Sequence, residues 1–443
     1  RQVILGVHMD RRAFISLGAL LPFFGLSNFI SCFSKDEKNP ILNYNLSKDP
    51  NNIIDLHQAL KYRVISEKDI LMSDGFKVPG LADGMGSFLV KDKIVLVRNH
   101  EIVPGHGMQV GPFQNPDTQI NLLGENHYDK NAIGGTTNII LDRASKQVQN
   151  EYLSLSGTMQ NCAGGTTPWG TWLTCEENVN VKKKNQPAHG YVFEVDPRNP
   201  SINFPNPLKK MGRFNHEAVA FDTFGNAYLT EDRSDGLLYK FKPKKSNSLD
   251  DGELFALRIK DIKDSRNWNQ TLVKSNEKYR AEWVKIEDYD PEDDTVRIEG
   301  IDKGATTFAR PEGIIADDKS IYACCTSGGY LKKGQIWKID PTSSKDSSVE
   351  LWYEVQDEAS LNMPDNIVIA PWGDLIVCED NSDVNRLWGL TSKGEPYLIA
   401  QNSYTGSEFA GACFSPVDNT MFVNIQGNGL TLLIEGNWNE VIS

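Results

Sequence analysis

A thiol and a pair of carboxylates stand at the two ends of Asn161-Cys162-Ala163-Gly164-Gly165-Thr166-Thr167-Pro168-Trp169-Gly170-Thr171-Trp172-Leu173-Thr174-Cys175-Glu176-Glu177. A strand, a tight turn and a returning strand take about that many residues at ~3.3 Å each. The hairpin brings Glu177 back to the face that carries Cys162. A soft thiolate beside hard carboxylates can hold more than one kind of metal ion.

The spacing recurs. Glu217 leads fifteen residues on to Asp232, Asp365 to Asp380, Glu312 to Ser327, and Gly411 to Gln426. Near the start, Asp83-Gly84-Met85 leads to Asn99-His100-Glu101. That makes six units with one grammar. An acidic or thiol residue opens a strand, as in Glu217-Ala218-Val219-Ala220-Phe221. A Gly/Asn turn and a second strand follow, then a third strand such as Leu237–Phe241. Repeats of this length made only of strands predict propeller blades, each unable to bury its faces alone. The fold expected is all-β: a six-bladed β-propeller with inserted excursions, the largest being the charged segment Lys244–Val296.

In such a ring the openers and their +15 partners converge on one mouth of the central channel. Cys162, Glu217, Glu312 and Asp365 are expected as metal ligands from the strand starts, and Glu177, Asp232 and Asp380 from the loops. Asn99, Glu101 and Glu379 are balanced between ligand and structural roles. His100 and His216 precede carboxylates, so alternation turns them away from the channel. Cys175, Cys324, Cys325, Cys378 and Cys413 lie inside strand patterns and are expected in the core. Arg310, two residues before Glu312, offers paired donors that suit phosphate oxygens.

Composition narrows the classes. A net charge of -13 and a pI near 5.1 argue against a nucleic-acid partner, and an anion would need cations to receive it. No CxxC, HExxH or HxH pair is present, so a metal site must lean on carboxylates. The 36 Gly and 21 Pro bound short apolar runs, which favours strands over long helices.

Residues 1–8 read as upstream sequence. Met9-Asp10-Arg11-Arg12-Ala13-Phe14 and the apolar run to Ile30 resemble a twin-arginine export signal, and Cys32 stands where a lipid-modified first residue would. The expected organisation is a signal over 1–32, a polar linker over 33–55 and one propeller over 56–443. Export by the twin-arginine route to the periplasm or the cell envelope follows, with contact to membrane only through a lipid on Cys32.

Several motifs together resemble the PhoX family of bacterial alkaline phosphatases. They are Met72-Ser73-Asp74-Gly75, Asp83-Gly84-Met85, Asn99-His100-Glu101, Gly134-Gly135-Thr136-Thr137-Asn138 and Asn161–Glu177. Gly212-Arg213-Phe214-Asn215-His216-Glu217, Arg310-Pro311-Glu312 and Pro364-Asp365-Asn366 continue the likeness. The resemblance implies a six-bladed propeller exported by the twin-arginine route, with ferric iron and calcium at the channel mouth. It implies Cys162 as the iron-binding cysteine, Glu177, Glu217 and Glu312 as metal-binding glutamates, and Arg310 as the active-site arginine. The cations would neutralise a phosphomonoester and fix it for in-line attack. The family commonly ends its last blade in Gln-His-Pro-Gly, whereas this chain reads Gln426-Gly427-Asn428-Gly429. Substrate choice, or a contact behind the ligands, is where that departure would act.

The expectation is therefore a monomeric, metal-dependent phosphatase for small phosphorylated substrates. The alternatives are a calcium propeller lactonase or esterase, which has no use for Cys162, and a non-catalytic propeller that binds a partner.

Overall fold

The computed structural model describes residues 45–180, 186–341 and 346–442. The twin-arginine segment, Cys32 and most of the expected linker lie outside the described residues.

Antiparallel meanders make up the chain. The first is Ala82–Val90, Lys93–His100, Gly134–Asp142 and Val148–Thr158. A three-stranded sheet follows, Asn161–Thr166, Trp172–Glu176 and Val192–Val195. Next comes a nine-stranded sheet built from two meanders, one opened by His216–Phe221 and one by Pro311–Ala316. Lys278–Lys285 joins them by pairing with both Ser248–Ile259 and Asp346–Glu354. Pro364–Ile369 opens a six-stranded sheet and Phe409–Phe414 a final sheet of four.

Apolar cores lie between successive meanders, so most strands are covered on both faces and read as continuous apolar runs. Met421–Ile425 is buried throughout. Phe88, Val97 and Leu155 of the first meander pack on Trp172, Tyr191 and Phe193 of the second. At the other end, Ile94, Leu96 and Ile139 of the first pack on Phe422 and Leu433 of the last. Each such side chain, fully buried, contributes ~1.5–3 kcal/mol relative to exposure. The molecule is all-β and propeller-like, with short helices in the connections and one, Trp438–Ile442, after the last strand.

Leu60–Glu67 pairs with Leu430–Gly436 and completes the last sheet. Arg98 fastens that closure. It is fully buried, and its Nη1 donates to Ser66 Oγ at 2.9 Å and Thr431 Oγ1 at 2.6 Å, while Nη2 meets Glu151 Oε1 at 2.7 Å. Part of the expected linker over 33–55 is regular structure: strands Leu46–Ser47 and Ile54–His57 extend the outer edge of the six-stranded sheet. The excursion Lys244–Val296 is also less free than its charge suggests: Ser248–Ile259 is a regular outer strand and Lys278–Lys285 a fifth.

The opening strands contact one another in order, from Ala82–Val90 through to Phe409–Phe414 and back to the first. Their inner faces line a cavity of about 440 Å³.

Candidate metal centre and active site

Each opening strand departs from regular pairing at the same place. Register shifts fall at Ala82/Met85, Asn161/Gly164, His216/Val219, Pro311/Ile314, Pro364/Ile367 and Ala410/Cys413. A bulge inserts a residue and re-aims a side chain. The re-aimed residues are Asp83, Cys162, Glu217, Glu312 and Asp365; the sixth position is Gly411. A side chain at Gly411 would meet Asp83 O at 2.3 Å, so neighbouring backbone occupies the space an acid would need.

Backbone strain marks the same strands. Leu81, Gln160, Arg310 and Met363 have φ of 50°, 50°, 53° and 48°, and each lies two residues before an opener. A non-glycine residue in this region costs roughly 1–2 kcal/mol. Packing elsewhere must hold these residues there, as is common at functional sites.

The second strands return the +15 residues by alternation. In three units the preceding glutamate turns inward to the sheet and takes up local donors. Glu176 accepts from Met159 N at 2.9 Å and Gly190 N at 2.9 Å, and meets His189 Nδ1 at 2.7 Å. Glu231 accepts from Tyr239 Oη at 2.8 Å, and Glu379 from Asn362 N at 3.0 Å and Trp388 Nε1 at 2.8 Å. Burial lowers the His189 pKa, but Glu176 and Asp129 outweigh it and push it up to about 9. With one glutamate buried for structure, the next residue faces the mouth: Glu177, Asp232 and Asp380.

The mouth groups meet. Cys162 Sγ donates to Glu217 Oε1 at 3.1 Å. Cys162, Glu177 and Glu217 can place ligand atoms within 4.8 Å of one another, and so can Asp83, Glu101 and Cys162. Gln160 Nε2 donates to Glu101 Oε1 at 3.1 Å and Glu177 Oε2 at 2.9 Å; Gln426 Nε2 donates to Asp83 Oδ2 at 2.8 Å and Glu101 Oε2 at 2.7 Å. Two amides thus align three carboxylates. Asn99, by contrast, is structural: its Nδ2 donates to the carbonyls of Cys162 and Ala163 at 2.9 and 2.8 Å.

Arg310 grips Asp232 in a fork, Nε to Oδ1 at 2.9 Å and Nη2 to Oδ2 at 3.0 Å, and reaches Asp380 Oδ2 through Nη1 at 3.4 Å. Its Nη2 also lies 2.5 Å from Glu312 Oε1, as an ion pair outside hydrogen-bond alignment. That buried oxygen consequently has no hydrogen-bond donor.

All seven residues expected as ligands, and Arg310, are gathered here. Sequence reasoning left out Asp83 as a site residue, left Glu101 undecided, and missed Glu408. Glu408 precedes the last opening strand by one residue, and its charge bears on Asp380, Asp83, Glu101 and Glu312. The spacing rule pointed to Gly411 and so overlooked it. Asp83 and Glu101 were legible as the first unit's opener and return, but their longer spacing weakened the signal. Glu379, also undecided, belongs to the sheet. His100 and His216 are buried and bonded to the carbonyls of Gly80 and Gly212, as expected.

The electrostatics are one-sided. Nine carboxylates (Asp83, Glu101, Glu177, Glu217, Asp232, Glu312, Asp365, Asp380 and Glu408) and one thiol face, among the described residues, one guanidinium in their midst. Burial, then Glu177 and Glu312, push Glu217 well above the carboxylate range. Burial followed by Asp365 and Asp232 does the same to Glu312 against the pull of Arg310. Glu101 rises to about 7, chiefly by burial, and burial followed by Asp83 and Glu217 raises the Cys162 thiol. Buried like charges at this density require protons or metal cations. The Glu312 oxygen, which accepts no hydrogen bond, and the mixed thiol–carboxylate donor set fit cations.

Fold and site together define a class: a propeller-like protein with an acidic mouth suited to cations and an arginine fork. The family model described as alkaline phosphatase PhoX matches residues 143–429, and the chain belongs to that family. It is accordingly an alkaline-phosphatase-like phosphoric monoester hydrolase.

Among solved structures, Pseudomonas fluorescens PhoX in complex with vanadate, a transition state analogue, is similar with a TM-score of 0.66 at 19% identity. The match covers 87% of this chain and 96% of that one. A gluconolactonase from Xanthomonas campestris aligns at 9% identity over 85% of this chain and 95% of its own, with a TM-score of 0.41. Nothing among curated protein sequences matches.

Proposed function

We propose that the protein is an exported phosphatase that hydrolyses small phosphomonoesters at an iron- and calcium-holding cluster in the mouth of a six-bladed propeller. Counting the nine-stranded sheet as two blades gives six, and the circular order of the opening strands supports that number. The observation that carries the reading is the ring of buried carboxylates and one thiol closing on Arg310.

Cys162, Glu177, Glu217 and Glu312 would hold iron, the thiolate being the soft donor; Asp83, Glu101, Asp232, Asp365, Asp380 and Glu408 supply hard oxygens suited to calcium. When bound, the cations neutralise phosphate charge and provide Lewis-acid polarisation of its oxygens. The chain's own residues do the rest. Arg310 offers Nη1, held among the described residues only by the 3.4 Å contact to Asp380, to a phosphoryl oxygen that gains charge in the transition state. Asp232 fixes the guanidinium plane from the other edge. Gln160 and Gln426 keep Asp83, Glu101 and Glu177 aligned before any ligand arrives, which removes reorganisation from the reaction. No Ser or His nucleophile is needed.

The twin-arginine-like start and Cys32 support export to the periplasm or cell envelope, since that route carries folded, already metallated proteins. The protein acts as a monomer in this reading. Activity on a chromogenic phosphomonoester with and without chelator tests it; full activity in metal-free protein ends it. Calcium without iron in the purified protein would favour the lactonase alternative.

A further inference from the structure

The acidic ring has a gap. Where other units return Glu177, Asp232 and Asp380, the unit opened by Glu312 returns Ser327. The gap lies beside Arg310, whose carbonyl accepts from Thr326 N at 3.1 Å.

A lip, residues 328–334, continues directly from Ser327 and is closed by Gly334 N donating to Gly328 O at 2.9 Å. It is fixed against the strand that carries Asp365. Lys333 O accepts from Met363 N, and a side chain at Gly334 would strike Pro364 Cδ at 2.1 Å. From the other side, the segment after Ser248–Ile259 presents Trp268, whose Nε1 donates to Ser327 O at 2.5 Å. Asn267 anchors that segment from within: it is buried, has φ 56°, and its Nδ2 donates to Val273 O at 2.8 Å and Glu354 Oε2 at 2.9 Å.

Two cations lie over the Trp268 indole, Arg266 at 4.3 Å and Lys332 at 5.2 Å from its centroid. They are not equivalent. Arg266 spends Nε and Nη2 on Asp264 and Nη1 on Ser234 O. Lys332 is exposed and has no carboxylate partner among the described residues.

A phosphomonoester in the mouth must direct its alcohol portion outward, and most of the ring around it is anionic. We propose that the Ser327 gap is the sector through which the leaving group projects, and that Lys332, steadied by Trp268, favours phosphomonoesters whose alcohol carries a second anionic group, a carboxylate or a phosphate. This rests on the phosphatase reading above. The interaction is with a partly screened charge, so its effect belongs to specificity and falls with salt.

The test compares kcat/KM of the metal-loaded enzyme for phenyl phosphate and 4-carboxyphenyl phosphate, in wild type, Lys332→Met and the control Lys333→Met. Calorimetry with ethylphosphonate and 2-carboxyethylphosphonate gives a readout independent of turnover. Lys332→Met is expected to lower the preference for the carboxylated member of each pair about two- to fivefold, the range for one exposed ion pair, with phenyl phosphate turnover unchanged. Lys333→Met, whose lysine faces Glu358 at 3.5 Å, leaves the preference intact. Equal losses on both substrates, or no change in preference at low salt, would overturn the assignment. Absence of any phosphatase activity in the wild type would instead overturn the reading on which it rests.

Discussion

Cys162 Sγ and Glu217 Oε1 stand 3.1 Å apart although 55 residues separate them in the chain. Two neighbouring opening strands carry the same bulge, and the bulge aims both side chains into one space. Removing either donor should release the metal they share. Cys162→Ala and Glu217→Gln are expected to lose at least ~10–100-fold in metal affinity, the range already seen for groups that merely support ligands. Elemental analysis after dialysis checks this, and phosphatase activity should fall in step. Wild-type iron and calcium content in both variants would show that the cluster binds elsewhere.

Arg310 is expected to act on rate. Replacing it with Ala should lower kcat by ~10²–10³, the usual effect of losing one preorganised donor to transition-state charge, while metal content holds. Arg310→Lys should restore only part, because an ammonium cannot make the fork that Asp232 now receives. Steady-state kinetics beside metal analysis separates this outcome from simple loss of the cluster.

Glu408 escapes the spacing rule and Glu101 is only weakly marked by it, and their removal tests whether the larger ring is real. Glu408→Gln and Glu101→Gln keep shape and remove charge. Each is expected to weaken calcium binding severalfold, measured by titration calorimetry, and to leave iron content nearly unchanged.

Metal-free protein should show an inverted pH dependence. Glu101 holds its proton to about pH 7 when folded, against an ordinary value of 4.5. Between those values the folded state binds more protons than the unfolded one, so stability falls as pH rises. Asp83, Glu217 and Glu312, also raised by burial and by neighbouring carboxylates, extend the fall to higher pH. In chelator the melting temperature should drop from pH 5 to pH 8, and calcium should remove most of that drop. A melting temperature that rose with pH in chelator would contradict the arrangement of charges.

The sequence by itself determined the periodic part of this protein. A carboxylate or thiol at the start of an apolar strand, returning fifteen residues later, states both the hairpin and the side that must face a common space, because alternation along a strand is local. Cys162, Glu177, Glu217, Asp232, Glu312, Asp365 and Asp380 were legible for that reason. What breaks the period was not. Gly411 occupies the sixth opener's place because Asp83 O packs there, and Glu408 enters from a loop that no spacing rule reaches. Ring closure by Leu60–Glu67 joins residues some 370 apart, as Leu432 with Val64. The Trp268–Ser327 contact depends on how an outer loop folds back over a neighbouring unit. Such contacts are set by which surfaces meet once the units have stacked, and the local pattern of the chain carries no record of that meeting.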